Sequence, residues 1–252
     1  MATVFAFINY KGGVGKSTST INLGIALGEQ GKKVLLIDAD PQANLTLGLR
    51  YDSDELTRSL YDVIVNPSVA LSSVVLHPRK TIDLVPASYA LKGAAAHVGE
   101  EPGREHKLRL KLRPVQNQYD YVLIDCRPDL DFLTSNAVAA ADYVIVPFDC
   151  QFFSLKGITE ILRFIKAAQS ISNPNLKLFG FLANKYDNTN HANQALEVMK
   201  KNYGDQLLDV LIRRRVAVAD AQVEGKSVLE TEPSSDIAQE YRKLAQEVIT
   251  RG

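Results

Sequence analysis

With 252 residues, the chain is long enough to bury one full α/β core, and its length does not require a second. It is 46% hydrophobic and 23% charged, and its 29 basic and 29 acidic side chains cancel, so any contact with nucleic acid must come from a local patch. No apolar run approaches the roughly 18 residues that span a bilayer. The N-terminus opens directly into a strand pattern without a leader-like segment, and Cys126 and Cys150 lack metal-ligand spacing. A cytoplasmic protein with reduced thiols is expected.

In chain order, the apolar run Val4 to Ile8 reads as a buried strand. It leads into Lys11-Gly12-Gly13-Val14-Gly15-Lys16-Ser17-Thr18, and a helical pattern follows from Ser17 to Gln30 with Gly31 as its stop. Strand, glycine-rich loop and helix in that order form a phosphate-binding loop. The glycines let backbone N–H groups close around an anion where a Cβ would block the approach. Lys16 is expected to reach the terminal phosphates, Ser17 to ligate Mg²⁺, and the helix start to add its unpaired N–H groups. The common pattern opens with glycine where this chain has Tyr10, and an additional cation, Lys11, stands five residues before Lys16.

Val34 to Ile37 is a second buried strand, ending at Asp38. Ile82 to Val85 is a shorter one, and Tyr121 to Ile124 a central one ending at Asp125. Between them, from Ala87 to Arg113, Gly93, Gly99 and Gly103 interrupt alanine-rich and basic segments, and the pattern there is the least regular. Tyr143 to Val146 is closed by Pro147, a long helix is expected from Ser154 to Ser170, and Leu178 to Leu182 is a strand ending at Asn184. About 15 residues at the C-terminus form an amphipathic helix with Ile237, Tyr241, Leu244 and Val248 on one face. Strands alternating with helices predict an α/β fold, a single-domain P-loop NTPase over residues 1–252 whose twisted, mostly parallel sheet carries helices on both faces.

Open parallel sheets place ligands at the carboxyl ends of their strands, where Asp38, Asp40 and Asp125 stand. Mg²⁺ takes one or two carboxylates beside phosphate oxygens and waters, while another aspartate can orient an attacking water. The residues alone leave those two jobs undivided.

The two-lysine loop resembles the deviant phosphate loop of the ParA/MinD class of ATPases, K-G-G-x-G-K-[ST], and the likeness to ParA/Soj-type partition ATPases runs from Thr3 to the last helix. The resemblance implies ATP and Mg²⁺ as cofactors, and a role for Lys11 at the ATP of a partner subunit in a nucleotide-sandwiched homodimer. The run Asp38-Ala39-Asp40-Pro41-Gln42-Ala43-Asn44 is similar to the family's switch I segment. By that match Asp40 positions the attacking water, Asp38 stands near the Mg²⁺ shell with Ser17, and Asp125 is the Walker B aspartate. Asn184, followed by Lys185, resembles the adenine-contacting position, and Arg213 opens the late nucleotide-pocket loop. One departure follows Asp125: Cys126-Arg127-Pro128-Asp129-Leu130-Asp131 replaces the family's Cys-Pro-Pro-Ser-Leu. Arg127 either stabilises transition-state charge or points to solvent with Asp129 and Asp131, and the sequence leaves both open.

The family likeness further implies a nucleoid-associated DNA-partition ATPase. Its ATP dimer would bind double-stranded DNA without sequence preference, and a ParB-like partner would release it by stimulating hydrolysis. The expected DNA contacts are Arg213, Arg214 and Arg215 with Lys200 and Lys201. Two other readings are a relative that positions a protein cargo over the nucleoid and a MinD-like membrane-cycling ATPase. The second needs an exposed apolar terminal helix, whereas Ile237, Tyr241, Leu244 and Val248 more simply pack on the domain, so no membrane contact is expected. An Fe–S redox relative is disfavoured because Cys126 adjoins Asp125.

Overall fold

In a computed structural model of the chain, residues 1–150 and 155–252 are described, and the expected helix start at Ser154 falls outside them. The strands are β1 (Thr3–Phe7), β2 (Val34–Ala39), β3 (Leu76–Arg79), β4 (Ile82–Val85), β5 (Tyr121–Cys126), β6 (Tyr143–Asp149), β7 (Lys177–Tyr186) and β8 (Leu207–Arg213). They form one sheet in the order β3-β4-β2-β5-β1-β6-β7-β8, parallel except for the antiparallel β3–β4 edge. The chain leaves β1 toward β2 on one side and later fills β6, β7 and β8 on the other. The order therefore reverses beside β1, where such sheets open a crevice at their carboxyl ends.

Side-chain alternation along each strand divides the interior into two cores. Val4, Ala6, Leu35, Ile37, Val122 and Ile124 face one side, where α3 (Leu60–Val65), α4 (Ala94–Val98), α5 (Lys107–Leu112), α6 (Phe132–Ala140), α7 (Leu155–Ile171) and α8 (Asn190–Tyr203) pack. Phe5, Phe7, Leu36 and Leu123 face the other. There lie α1 (Lys16–Glu29), α2 (Asn44–Gly48), α9 (Val216–Val223), α10 (Val228–Thr231) and α11 (Asp236–Arg251). The expected apolar stripe of the last helix is fully spent in this second core: Ile237, Leu244 and Val248 are 0% exposed and Tyr241 is 1% exposed. No helix among the described residues is long and apolar enough to cross a membrane.

The expected strands and long helices recur, some ends unchanged and others shifted by up to four residues, and one expected stop is corrected. Pro147 lies inside β6, opposite Leu182 of β7. The β1–β6 ladder ends with Ile145 accepting from Ile8 N, and Pro147 points the same way two residues on. Its missing N–H therefore leaves no ladder bond unmade, while its carbonyl accepts from Asn9 Nδ2 at 2.7 Å.

Candidate active site

The loop between β1 and α1 is set by backbone geometry. Gly13 and Gly15 have φ of +74° and +89°, the left-handed region open to glycine. At Gly15 a Cβ would also come within 2.9 Å of Asn184 Nδ2. That contact changes the reading of Asn184. Its amide donates to Val14 O at 3.0 Å and to Ser19 Oγ at 3.1 Å, so both amide hydrogens brace the loop from beneath. Its Oδ1 is the acceptor that remains for a base. Asn9 braces the other end, accepting from Lys11 N at 3.0 Å.

Lys16 is 7% exposed, and its Nζ lies over the loop, donating to Asn9 O and Lys11 O at 3.2 Å each. Burial lowers its pKa, and Asp125, Cys126 and Asp40 oppose that shift. Strand parity explains the carboxylates. Asp38 and Asp125 follow Leu36 and Leu123 by two residues and so face α1, and they lie opposite each other on neighbouring strands.

Their environments diverge. Asp38 Oδ2 accepts from Thr46 N at 2.9 Å and Thr46 Oγ1 at 2.7 Å, and its Oδ1 accepts from Asp40 N at 3.1 Å. Both oxygens thus hold the segment between β2 and α2 in shape, and burial pushes the carboxyl up to about 7. Both oxygens of Asp125 are buried and have no hydrogen-bond partner among the described residues. Burial and then Asp38 push its pKa well up, against Ser17 and Lys16, which favour the anion. A fully buried carboxylate with both oxygens bare, facing a serine hydroxyl and an ammonium, fits a hard dication held between protein and phosphate. No cluster of three or more His, Cys, Asp or Glu suited to a metal occurs among the described residues, so such an ion would draw its remaining ligands from phosphate and water.

A cleft of about 560 Å³ opens over the loop, bordered by Lys16, Ser17, Asp40, Gln42, Asn44 and Pro128. Asp40 is 6% exposed, and its Oδ1 accepts from Gln42 N at 2.9 Å. A second cleft of about 380 Å³ continues past Gly15 and Thr18 to Asn184, Lys185 and the turn into α9. One long crevice therefore joins a phosphate end to an end sized for a nucleoside.

Arg213, Arg214 and Arg215 border that second cleft, and all three are exposed. The chain turns from β8 into α9 at Arg213 to Arg215, which splays them. Glu240, whose side chain is 8% exposed, accepts from Arg213 N at 2.8 Å and from Arg213 Nη1. Asp236 pairs with Arg215. Lys200 and Lys201 are exposed in the last turn of α8, whose buried side chains belong to the opposite core.

The residues after Asp125 also find definite places. Asp131 caps α6, its Oδ1 accepting from Leu133 N and Thr134 N, while its Oδ2 holds Arg127 Nη1 at 2.7 Å. Arg127 is thus tied to the helix start, and its Nε is buried without a partner among the described residues. Cys126 and Cys150 are free and buried, and burial raises both thiols, Cys150 to about 12.

Several residues that sequence reading passed over help build the site: Asn9, Thr46 and Glu240; Gln222, in the helix after the late pocket loop, joins them, its Oε1 accepting from Thr18 Oγ1 at 3.4 Å. Thr46 alone carried a local signal, as the first hydroxyl after the Asp-x-Asp run.

Residues 2–178 match the family described as an AAA domain. The chromosome partitioning protein ParA of Caulobacter vibrioides is 40% identical over 251 residues, covering 98% of this chain and 94% of that protein. The sporulation initiation inhibitor protein Soj of Bacillus subtilis is 35% identical over 253 residues and all of both chains. Among solved structures, a Mycobacterium smegmatis protein named cobyrinic acid a,c-diamide synthase, with bound ADP and magnesium, superposes with a TM-score of 0.87 at 36% identity. It covers 99% of this chain and 94% of that one. With a phosphate loop at the switch point of its sheet and these relatives over its whole length, the chain belongs to the ParA/MinD superfamily of P-loop ATPases, alongside ParA and Soj.

Proposed function

We propose that this chain is a Mg²⁺-dependent ATPase of DNA partition. It dimerises on ATP, binds double-stranded DNA without sequence preference, and leaves it when a ParB-like partner stimulates hydrolysis. The observation that carries the nucleotide chemistry is Asp125, buried near Ser17 and Lys16 with neither oxygen hydrogen-bonded among the described residues. Mg²⁺ held there by Ser17 and Asp125 would neutralise phosphate charge. Lys16 trades its two carbonyl bonds for phosphate oxygens, and its depressed pKa recovers as that negative charge arrives. Asp38 works at one remove by fixing Asp40 and Thr46. Asp40, at the lip of the phosphate cleft, orients the attacking water. Asn184 Oδ1 and the turn at Arg213 receive the base and ribose, and Lys11 acts across the dimer. The relatives ParA and Soj support the partition setting, and a cytoplasmic, nucleoid-associated protein is the location proposed with it.

Exposure and bonding rank the expected DNA contacts. Arg215 and Asp236 are both nearly half exposed, and so exposed a pair contributes little, so Arg215 can exchange its partner for a phosphate. Arg213 is about half exposed, but it is tied to Glu240 through both its backbone N–H and its guanidinium, so it is the more firmly held of the two. Arg213 is therefore kept for the nucleotide, and Arg214, Arg215, Lys200 and Lys201 for DNA.

The test uses Asp40→Ala protein with Mg²⁺-ATP. Binding should persist, hydrolysis should fall on the order of 10²–10⁴-fold, and light scattering should show a dimer that binds unrelated long duplexes equally. Adding Lys11→Ala should return the monomer. Wild-type hydrolysis by Asp40→Ala, or a trapped form with no affinity for duplex DNA at low salt, would refute the corresponding half of the proposal.

A further inference from the structure

Strand β7 carries one residue more than its neighbour where it borders the crevice. Its register with β8 passes from the pair Ala183–Leu211 to the pair Tyr186–Arg213, three steps on β7 against two on β8. One extra residue on one strand is a β-bulge, a device that re-aims side chains. Lys185 stands in it with φ +56°, a left-handed backbone that a lysine adopts at a cost.

The bulge decides which face of the sheet the lysine shares. Phe181 and Ala183 belong to the core that α7 and α8 cover, and Asn184 lies on the opposite face, against Val14 and Ser19. Unbroken alternation would return Lys185 to the face of Ala183. Tyr186 takes that face instead, packing on the same core and donating to Asn193 of α8 at 2.6 Å. Lys185 is left beside Asn184, half-buried, at the border of both clefts.

Five residues border both clefts and so mark where the phosphate end meets the nucleoside end: Gly15, Thr18, Lys185, Ala219 and Gln222. Of these, Lys185 carries the charge. Among the described residues no carboxylate borders the second cleft, and Asp40 is the one acid bordering the first. The Lys185 ammonium has no hydrogen-bond or ion-pair partner among the described residues. Backbone strain of this kind clusters where a ligand is held, and the ligand that suits this point is an anion.

We infer that Lys185 binds the α-phosphate, the phosphate nearest the ribose, and leaves the terminal phosphates to Lys16. This rests on the nucleotide reading above and adds a binding residue to it.

Calorimetric titration with ADP and with ATP, both without Mg²⁺ so that no turnover intervenes, compares wild type with three variants. Lys185→Met keeps the stem and loses the charge. It should weaken ADP and ATP about tenfold and by the same factor, because both carry that phosphate. Lys185→Arg should recover most of the loss, and the gap between wild type and Lys185→Met should narrow as salt rises. Lys185→Asn should weaken binding as Lys185→Met does. It should nevertheless raise the melting temperature of the unliganded protein by about 2 °C, because asparagine accepts the left-handed backbone. The inference fails if Lys185→Met binds ADP as wild type does, or if it weakens ATP alone, which would put the lysine at the terminal phosphates. It fails too if the gap is insensitive to salt, since the contact would then be to base or ribose. A lower melting temperature for Lys185→Asn would show that the lysine serves the fold, and that also overturns the inference. Wild-type protein that binds neither nucleotide is a separate result: it sinks the nucleotide reading itself, and the inference with it.

Discussion

The two ends of the crevice are built on different terms. At the phosphate end the loop follows a fully buried strand, its carbonyls and amides are bound by Asn9, Lys16 and Asn184, and Asp38 holds the next loop with three bonds. At the nucleoside end α9 buries only Ala221, while Val216 and Val223 are 76% and 86% exposed. That helix is anchored from outside: Arg213 and Arg215 by α11, Arg79 by bonds to Gly225 O and Glu230, and Gln222 by Thr18. A group whose charge does not vary, such as phosphate, can be met by a preformed cradle. The covering segment is held by a few exposed ion pairs and belongs to the part of a structure that opens most easily.

If the cradle is preformed and dominated by charge, Lys16→Ala is the most damaging single change at that end. ATP affinity should fall at least about 100-fold, since charge-assisted bonds to two or more phosphate oxygens disappear. Calorimetric titration checks this, and a loss below tenfold would mean that the cradle amides do most of the binding.

Gly15→Ala tests the rigidity of the same end. A side chain at φ +89°, against Asn184, should cost about 1–3 kcal/mol and lower the melting temperature in the absence of any ligand. An unchanged melting temperature would show that the loop relaxes freely, contrary to the bracing assigned to Asn184.

Glu230→Gln should give the smallest effect, at the nucleoside end. Burial opposes ionisation of Glu230, but its bonds from Arg79 and Ser227 outweigh that and hold its pKa below the usual carboxylate range. A depressed folded pKa contributes stability above the unfolded value and loses it as pH falls through the folded one. The variant should therefore be less stable than wild type near neutrality, by less than about 1 kcal/mol because the pair is partly exposed, and the gap should close in acid. Chemical denaturation at several pH values measures it; a gap that widens in acid would reverse the sign argued here.

The same contrast explains what the sequence made legible. Phosphate recognition uses backbone amides of consecutive residues and carboxylates at strand ends, so Lys11 to Thr18 and Asp38, Asp40 and Asp125 stand out as local patterns. The buried strands β1, β2 and β5 read plainly because parallel strands covered on both faces are near-continuous apolar runs. Edge strand β8 alternates buried Leu208, Val210 and Ile212 with exposed Asp209 and Arg213, and β3 is four residues long with a proline, so neither gave such a run. Asn184 shows the limit most clearly. The sequence pattern ended its strand at Asn184, whereas β7 runs on to Tyr186, and its task of bracing Val14 and Ser19 depends on β7 meeting the loop and helix after β1, which happens only in the fold. Arg213 to Arg215 read in the sequence as a run of cations, which does not show that Glu240 and Asp236 fold back from α11 onto two of them.

Asp125 carries the account, and Mg²⁺ dependence of ATP binding tests it most directly. Titrations of wild-type and Asp125→Asn protein with ATP, each with and without Mg²⁺, separate the ion from the cradle. In wild type, Mg²⁺ should tighten binding at least about tenfold through a carboxylate whose oxygens have no hydrogen-bond partner among the described residues. In the variant, which removes a buried charge and spares the fold, ATP should still bind through Lys16 and the loop, but with nearly the same affinity in both conditions. If Asp125→Asn keeps the full Mg²⁺ dependence, the ion is held elsewhere and the site as described is wrong.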